Sequence, residues 1–300
     1  MSSHGPITAR PRIAVAGATG RVGAALVGGL AYDAVDIVAL SRRGSSSRLP
    51  VGTNIVEIDF DRPASLLDAL TGTERLFLAH GTSDQQVGNE IAMIDAAVAA
   101  GVSHIVKLSA MGPPTRLHPF DWHMRVEAHL AEQAIGYTVL RPSCFVDVLA
   151  RAKEPVSKGT WGGTAGAGRV NLIDTRDVAD VARIALLDGQ FLTSQRAYHL
   201  TGPKAVSMPD IADELSSLVH RPVPYAHRTP EEHRDVLIAS GTGEMVADLL
   251  LGLDRIFLEG VLAETTTTVA ELTGREARST SRWLHDNISG FVSSSGSLAV

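Results

Sequence analysis

Three hundred residues, 44% of them hydrophobic and 20% charged, suffice for a substantial core in one large or two unequal domains. A formal charge of -6 offers no basic face to a nucleic-acid backbone and argues against electrostatically driven DNA or RNA binding, though not against a protein partner. The single cysteine, Cys144, excludes an internal disulfide and fits a reducing, cytoplasmic setting. Residues 1–12 are polar and lack the apolar core of a signal peptide, and no uninterrupted apolar run approaches membrane-spanning length.

The apolar run Ile13-Ala14-Val15-Ala16 predicts a buried strand. Gly17, Gly20 and Gly23 follow it, and Val22, Ala25, Leu26 and Leu30 then give helical apolar spacing. A strand, a glycine turn and a helix in that order aim the helix amino end, with its free N–H groups and partial positive charge, at a bound phosphate. Gly17 permits the turn, Gly20 permits backbone to approach a pyrophosphate, and Gly23 permits close packing of helix on strand. The spacing is Gly-x-x-Gly-x-x-Gly, not the commoner Gly-x-Gly-x-x-Gly.

A second strand over 36–40 ends at Ser41-Arg42-Arg43. An NAD site usually has an acid there for the ribose hydroxyls, whereas a guanidinium pairs with a 2′-phosphate through two parallel bonds. The two arginines therefore predict NADP(H) in preference to NAD(H), the alternative being that they solvate a loop also holding Gly44 and Ser45 to Ser47. A third strand is expected over 54–60, carrying Asp59 near its end. A short helix follows over 65–70, with Leu66, Leu67 and Leu70 inward. Strand 75–79 stops at His80-Gly81, and Val87, Ile91, Ile94 and Val98 mark an amphipathic helix over 85–100. Strand 104–108 leads to Ser109, a helix spans 120–133, and strand 137–140 runs into Arg141-Pro142-Ser143-Cys144-Phe145.

Strands alternating with helices at this spacing imply βαβ units and a parallel sheet covered on both faces. Ligands in such sheets lie beyond the carboxyl ends of the strands, which selects Arg42, Asp59, His80, Ser109 and the stretch from Pro142 to Phe145. Glycines and threonines over 153–168 suggest a loop, a substrate-side flap. A helix over 174–188 is expected to pack back on the first domain, and further helices over 210–219, 230–240, 244–259 and 266–273 make a capping lobe. The predicted division is 1–152, 153–292 and a frayed serine- and glycine-rich tail over 293–300. No internal repeat and no metal-ligand spacing is found; His118 and His123, five apart, fit none.

Several of these stretches together resemble the NmrA-like group of atypical short-chain dehydrogenases/reductases, over nearly the whole chain. They are the glycine loop, Val106-Lys107-Leu108-Ser109-Ala110, His123-Met124-Arg125-Val126-Glu127, and Tyr137-Thr138-Val139-Leu140-Arg141-Pro142. Further on come Asp177 to Ala182, Leu272-Thr273-Gly274-Arg275 and Trp283 to Phe291. The resemblance implies an α/β fold, a Rossmann-type doubly wound parallel sheet with a smaller, mostly helical C-terminal domain. It implies that Gly17, Thr19, Gly20, Arg21, Val22 and Gly23 hold the pyrophosphate. Arg42 would meet the 2′-phosphate, Asp59 would lie near adenine, and Ala79, His80 and Gly81 would run along the ribose. Lys107, Pro142 and Phe145 match positions near the nicotinamide ribose and amide.

The catalytic end departs from better-known relatives, in which a Tyr-x-x-x-Lys pair hands over the proton. The comparable helix here carries His123-x-x-x-Glu127, a spacing that puts both side chains on one face. Either Glu127 orients His123 as a proton donor or the two form a surface ion pair; Ser109 could hydrogen-bond a substrate carbonyl. Cys144 reads as a small buried filler, since nothing near it in sequence would activate the thiol. The group includes quinone- and dye-reducing NADPH enzymes as well as a redox-sensing regulator, and the His-x-x-x-Glu helix does not separate them. The sequence therefore leaves three readings. The first is an NADPH-dependent reductase of small aromatic or conjugated carbonyls such as quinones, monomeric or homodimeric, with the proton from His123 or water. The second is a non-catalytic NADP(H) sensor docking on a partner protein, and the third is a tailoring enzyme for a polyketide-like aromatic.

Overall fold

Residues 13–16 are apolar without alternation, which suits a strand covered on both faces, and they are buried in β1 (Arg12–Ala16). The computed structural model describes residues 10–42, 47–112 and 120–292. In chain order β1 is followed by α1 (Arg21–Leu30), β2 (Asp36–Ser41), β3 (Asn54–Glu57), α2 (Pro63–Leu70), β4 (Arg75–Leu78) and α3 (Gln86–Ala99). Next come β5 (His104–Leu108), α4 (Phe120–Ala131), β6 (Gly136–Pro142), β7 (Cys144–Phe145) and a 3-10 helix over Val146–Ala152. Then follow α5 (Lys153–Ser157), β8 (Gly162–Gly163), β9 (Arg169–Ile173), α6 (Thr175–Leu187), β10 (Gln195–Leu200) and β11 (Ala205–Ser207). The chain finishes with α7 (Met208–Val219), β12 (Ala226–His227), α8 (Pro230–Ala239), α9 (Glu244–Leu258), α10 (Thr268–Thr273) and α11 (Thr280–Asn287).

Two units form from these elements. The first takes the described residues within 1–110, 114–141 and 175–199; the second takes those within 111–113, 142–174 and 200–300. Seven strands of the first make one sheet in the order β10-β6-β5-β4-β1-β2-β3. The pairings from β3 through to β6 are parallel, and Tyr137 N–H donating to the Ser194 carbonyl while Ser143 N–H donates to that of Leu200 continues the same direction. The order runs outward from β1 in both directions, the doubly wound arrangement whose switch point lies between β1 and β4.

Alternation across the pleat decides which helix covers which face. Ala14, Ala16, Val38, Leu40, Leu76 and Leu78 join one core with Leu66, Leu70, Met93, Ile94, Val126 and Leu130 of α2, α3 and α4. Their neighbours Ile13, Val15, Ala39 and Phe77 are equally buried and turn to the opposite face, where α6 packs on α1 and on β4. Arg183 of α6 pairs with Asp33 just after α1, and Arg75 at the start of β4 donates to the Leu187 carbonyl at 3.4 Å, a cation at a helix carboxyl end. The expected third strand stops at Glu57, short of residue 60, because Asp59 exchanges backbone bonds with the Ser65 hydroxyl and turns the chain into α2. Leu67, expected inward, is exposed; α2 starts earlier, at Pro63, and buries Leu66, Ala69 and Leu70.

In the second unit the stretch read as an open loop over 153–168 is partly built structure. It begins as α5, and β8 pairs with β12. Thr164 N–H donates to Asp254 Oδ2 at 2.7 Å, and a Cβ on Gly163 would stand 2.6 Å from the Tyr225 hydroxyl. Gly162, Gly163 and Gly168 sit where a Cβ would collide with neighbouring atoms, and Ala165 is wholly buried, so these glycines serve close packing. β11, β9 and β7 form a second small sheet. α7 begins two residues before the predicted start because Ser207 and Asp210 make a reciprocal capping box, with Pro209 in the first turn. Thr229 and Glu232 start α8 in the same way. Among the described residues no helix is long and apolar enough to cross a membrane.

Candidate functional site

The glycine turn at the end of β1 is shaped by backbone crowding. Gly17 has a φ of +74°, and a Cβ there would come within 2.6 Å of the Ala79 carbonyl oxygen at the end of β4. A Cβ on Gly23 would land on the Gly17 carbonyl oxygen. Gly20 donates its N–H to the Gly17 carbonyl at 2.9 Å and serves as the N-cap of α1. Among the described residues no side chain caps this helix, and no carboxylate stands in its first turn, so its amino end keeps its positive potential. The result is a cradle lined by backbone, at the switch point, of a kind that suits a diphosphate. Val22 is buried and serves the packing of α1, while Thr19 is half-buried and Arg21 exposed on the loop itself.

Two arginines flank the cradle. Leu40 stands opposite Ala16 in the β1–β2 register and β2 ends at Ser41, so exposed Arg42 is the first residue past that strand, beside the turn. Arg48 Nη1 donates to the Thr19 carbonyl at 3.2 Å, tying a second guanidinium to the glycine loop. Sequence reasoning missed Arg48. Its only signal was a basic residue in a serine-rich loop after a Rossmann-type second strand. Arg43 lies outside the described residues.

Beyond β4, His80 is held at both ring nitrogens. Asn89 Nδ2 donates to Nε2 at 3.0 Å, which places the proton on Nδ1 for the Gly81 carbonyl at 2.6 Å. Phe60 meets the His80 ring edge-on at 5.7 Å. The Asp59 carboxylate turns back on its own loop, accepting from Asp61 N–H at 3.0 Å and Arg62 Nε at 2.9 Å. The Asp61 N–H, then Arg62, hold it below the usual carboxylate range.

At the end of β5 the partners differ from those the helical spacing suggested. Glu127 does not orient His123. It accepts from Arg141 Nε at 3.2 and 3.1 Å, and from the Ser109 hydroxyl. The spacing does place the two on neighbouring turns, but a bidentate guanidinium from β6 outcompetes a neutral imidazole for the carboxylate. Ser109 thereby spends its one proton on Glu127 and has none to donate to a substrate carbonyl, a further correction to its expected role. Lys107 has protein partners of its own. Its side chain is wholly buried, with Nζ 2.7 Å from Glu90 Oε2, 3.3 Å from His123 Nδ1, and bonded to the Leu108 carbonyl. Gln86 Nε2 donates to Glu90 Oε1 at 3.1 Å and lies 3.5 Å from His123 Nδ1. Burial, then the Lys107 charge, push His123 down from an ordinary 6.5 to about 3. His123 is thus neutral at physiological pH.

This geometry agrees with what the chain is similar to. A family model described as NAD(P)H-binding matches residues 17–188, from the first glycine of the cradle to the end of α6. The chain belongs to that NAD(P)H-binding family. It is 31% identical over 271 residues to an NAD(P)H azoreductase of Xenophilus azovorans, covering 89% of this chain and 94% of the relative. To a (4-alkanoyl-5-oxo-2,5-dihydrofuran-3-yl)methyl phosphate reductase of Streptomyces griseus it is 32% identical over 287 residues, covering 93% and 99%. Among solved structures, the NADPH-dependent quinone oxidoreductase of Escherichia coli complexed with NADPH superposes with a TM-score of 0.84 at 25% identity. That match covers 92% of this chain and 99% of the other. The NmrA-like resemblance and the Rossmann-type fold both stand.

The remaining candidates of this NAD(P)H-binding protein lie where β6 leaves the large sheet. Pro142 is the last residue of β6, and Phe145 sits in β7, which pairs with Leu172 and Ile173 of β9 instead of forming a free turn. Burial, with Asp147 adding to it, pushes the Cys144 thiol up to about 12, so it is no thiolate nucleophile. Among the described residues no three His, Cys, Asp or Glu side chains cluster as a metal site would.

The two buried histidines give an acid limb to the stability of the NAD(P)H-binding fold. His104, wholly buried against Thr138, is pushed down to about 4 by burial, as His123 is to about 3. Both values are lower folded than unfolded, so the unfolded chain binds the extra protons. Their contribution is full well above pH 6.5 and is lost as pH falls through 6.5 toward the folded values. As pH falls from 6.5 to 5, proton uptake by this pair on unfolding is expected to rise from about one to nearly two. Urea titrations across that window should show it, and His104→Gln or His123→Gln should each flatten the slope by about one proton. A slope unchanged in both variants would refute the assignment.

Proposed function

We propose that this chain is an NAD(P)H-dependent reductase, preferring NADPH, that passes hydride to a small aromatic or conjugated carbonyl compound such as a quinone. The observation that carries the reading is the uncapped amino end of α1, set in a glycine cradle with Arg42 and Arg48 beside it. Relatives named as azoreductase and quinone oxidoreductase support it. NADPH, when bound, supplies the hydride. Gly17, Gly20 and Gly23 with the first turn of α1 hold the diphosphate; Arg42 and Arg48 pair with the 2′-phosphate. His80, locked by Asn89 and Gly81, edges the ribose with Ala79. Glu127, Arg141 and Ser109 brace the ends of β5 and β6 against α4 and keep His123 in place. A quinone suits a site without a tyrosine acid, because the anion formed by hydride addition is a weak base that needs no strong acid beside it and takes its proton from water.

The test is oxidation of NADPH, followed by its nicotinamide absorbance, with a panel of benzoquinones, naphthoquinones and conjugated enones. Consumption with at least one class, faster for NADPH than NADH at low concentration, is expected. No consumption across the panel would sink the reductase reading. In Arg42→Ala and Arg48→Ala the KM for NADPH should rise about tenfold to a hundredfold, the worth of a lost guanidinium–phosphate pair, while that for NADH barely moves.

A further inference from the structure

The second use of the β5–α3–α4 network concerns which proton His123 carries. Lys107 Nζ donates to the Leu108 carbonyl, lies 3.3 Å from His123 Nδ1, and forms an ion pair with Glu90 Oε2 at 2.7 Å. An ammonium so placed is a donor only, so His123 Nδ1 must accept. Gln86 Nε2, 3.5 Å from the same nitrogen, is a second donor aimed at it. The imidazole proton is therefore driven to Nε2, for which no hydrogen-bond partner is found among the described residues. Lys107 could not hold this post unaided. Its side chain and that of Glu90 are both wholly buried, and the carboxylate is what lets a charged amine stay there.

We propose that Glu90 is a positioning residue: through Lys107 it holds His123 as a neutral imidazole with its only proton on Nε2, so that the group offered to the substrate oxygen donates a hydrogen bond and is not an acid. The substrate half rests on the reductase reading above. A fixed neutral donor stabilises charge that develops on oxygen during hydride addition, and the product anion then takes its proton from water. The groups around the ring bear this out. Lys107 faces it from β5, and Gln86 with Glu90 behind it faces it from α3. On its own helix, Glu127 is committed to Ser109 and Arg141.

The experiment is nitrogen NMR of the full chain labelled in histidine, from pH 5 to 8, beside kcat against pH with a quinone. Wild type should show His123 as the Nε2–H tautomer throughout, without titration, and kcat flat over that range. His123 titrating near 6.5, or carrying its proton on Nδ1, would overturn the proposal whatever the activity. In Glu90→Gln, His123 should become titratable, kcat should fall about tenfold to a hundredfold with the KM for NADPH unchanged, and the kcat profile should gain a limb. A folded Glu90→Gln protein with a flat profile and a locked tautomer would also overturn it. Should that variant not fold, the wild-type spectrum still decides. A locked tautomer with no quinone reduced would remove the reductase reading and the substrate half with it, leaving the positioning of His123 supported.

Discussion

Lys107→Met is expected to cost about 3–5 kcal/mol of stability, the usual penalty for breaking one side of a buried ion pair. The thermal midpoint should fall by roughly 10 °C in a chain of this size. The cause is what remains, not what is removed: methionine fills the space of the lysine stem, but the Glu90 carboxylate is left wholly buried without its cation. Gln86 Nε2 still donates to Glu90 Oε1, which is one hydrogen bond against a whole charge. The double variant Lys107→Met with Glu90→Met should recover most of the loss, because a well-packed apolar pair does about as well as a buried ion pair. Urea unfolding of the two singles and the double closes the cycle. Additive losses would show that the two side chains do not act as a pair.

Valine at the glycine cradle should separate folding from binding. In Gly17→Val both should fail. The backbone at φ +74° disfavours any β-branched residue, and the new Cβ meets the Ala79 carbonyl at 2.6 Å, so the end of β4 must move. Gly20 has an ordinary extended conformation, and a Cβ there meets only the Gly17 carbonyl at 3.1 Å. Gly20→Val should therefore stay within about 1 kcal/mol of wild type while losing about a hundredfold in NADPH affinity, since its side chain would fill the space the diphosphate needs. Calorimetry with NADPH and thermal unfolding without it give the two numbers. Equal loss of stability in both variants, or intact affinity in Gly20→Val, would contradict this account of the cradle.

The β1–glycine–α1 unit, the alternating strands and the Rossmann-type class could be read directly from the chain because each depends on local order. A buried run, a turn that only glycine tolerates and a helical stripe follow one another within twenty or so residues. The basic end of β2 was legible for the same reason. The segment over 153–168 was not. β8 is two residues long and pairs with β12 more than sixty residues away, so no periodicity announces it. Arg48 likewise reaches the Thr19 carbonyl across 29 residues of sequence.

The candidate site divides along the same line. By itself the sequence determined that His123 and Glu127 share a helix face, and that Lys107 and Ser109 stand at a strand end. Only the tertiary structure decided their partners. Glu127 goes to Arg141 of β6 and His123 to Lys107 of β5, while Glu90 of α3 provides the counter-charge that no local spacing revealed. Helical geometry sets which side chains can meet along one element, but the pairing goes to the strongest charge that packing brings within reach, and that charge arrives from another element.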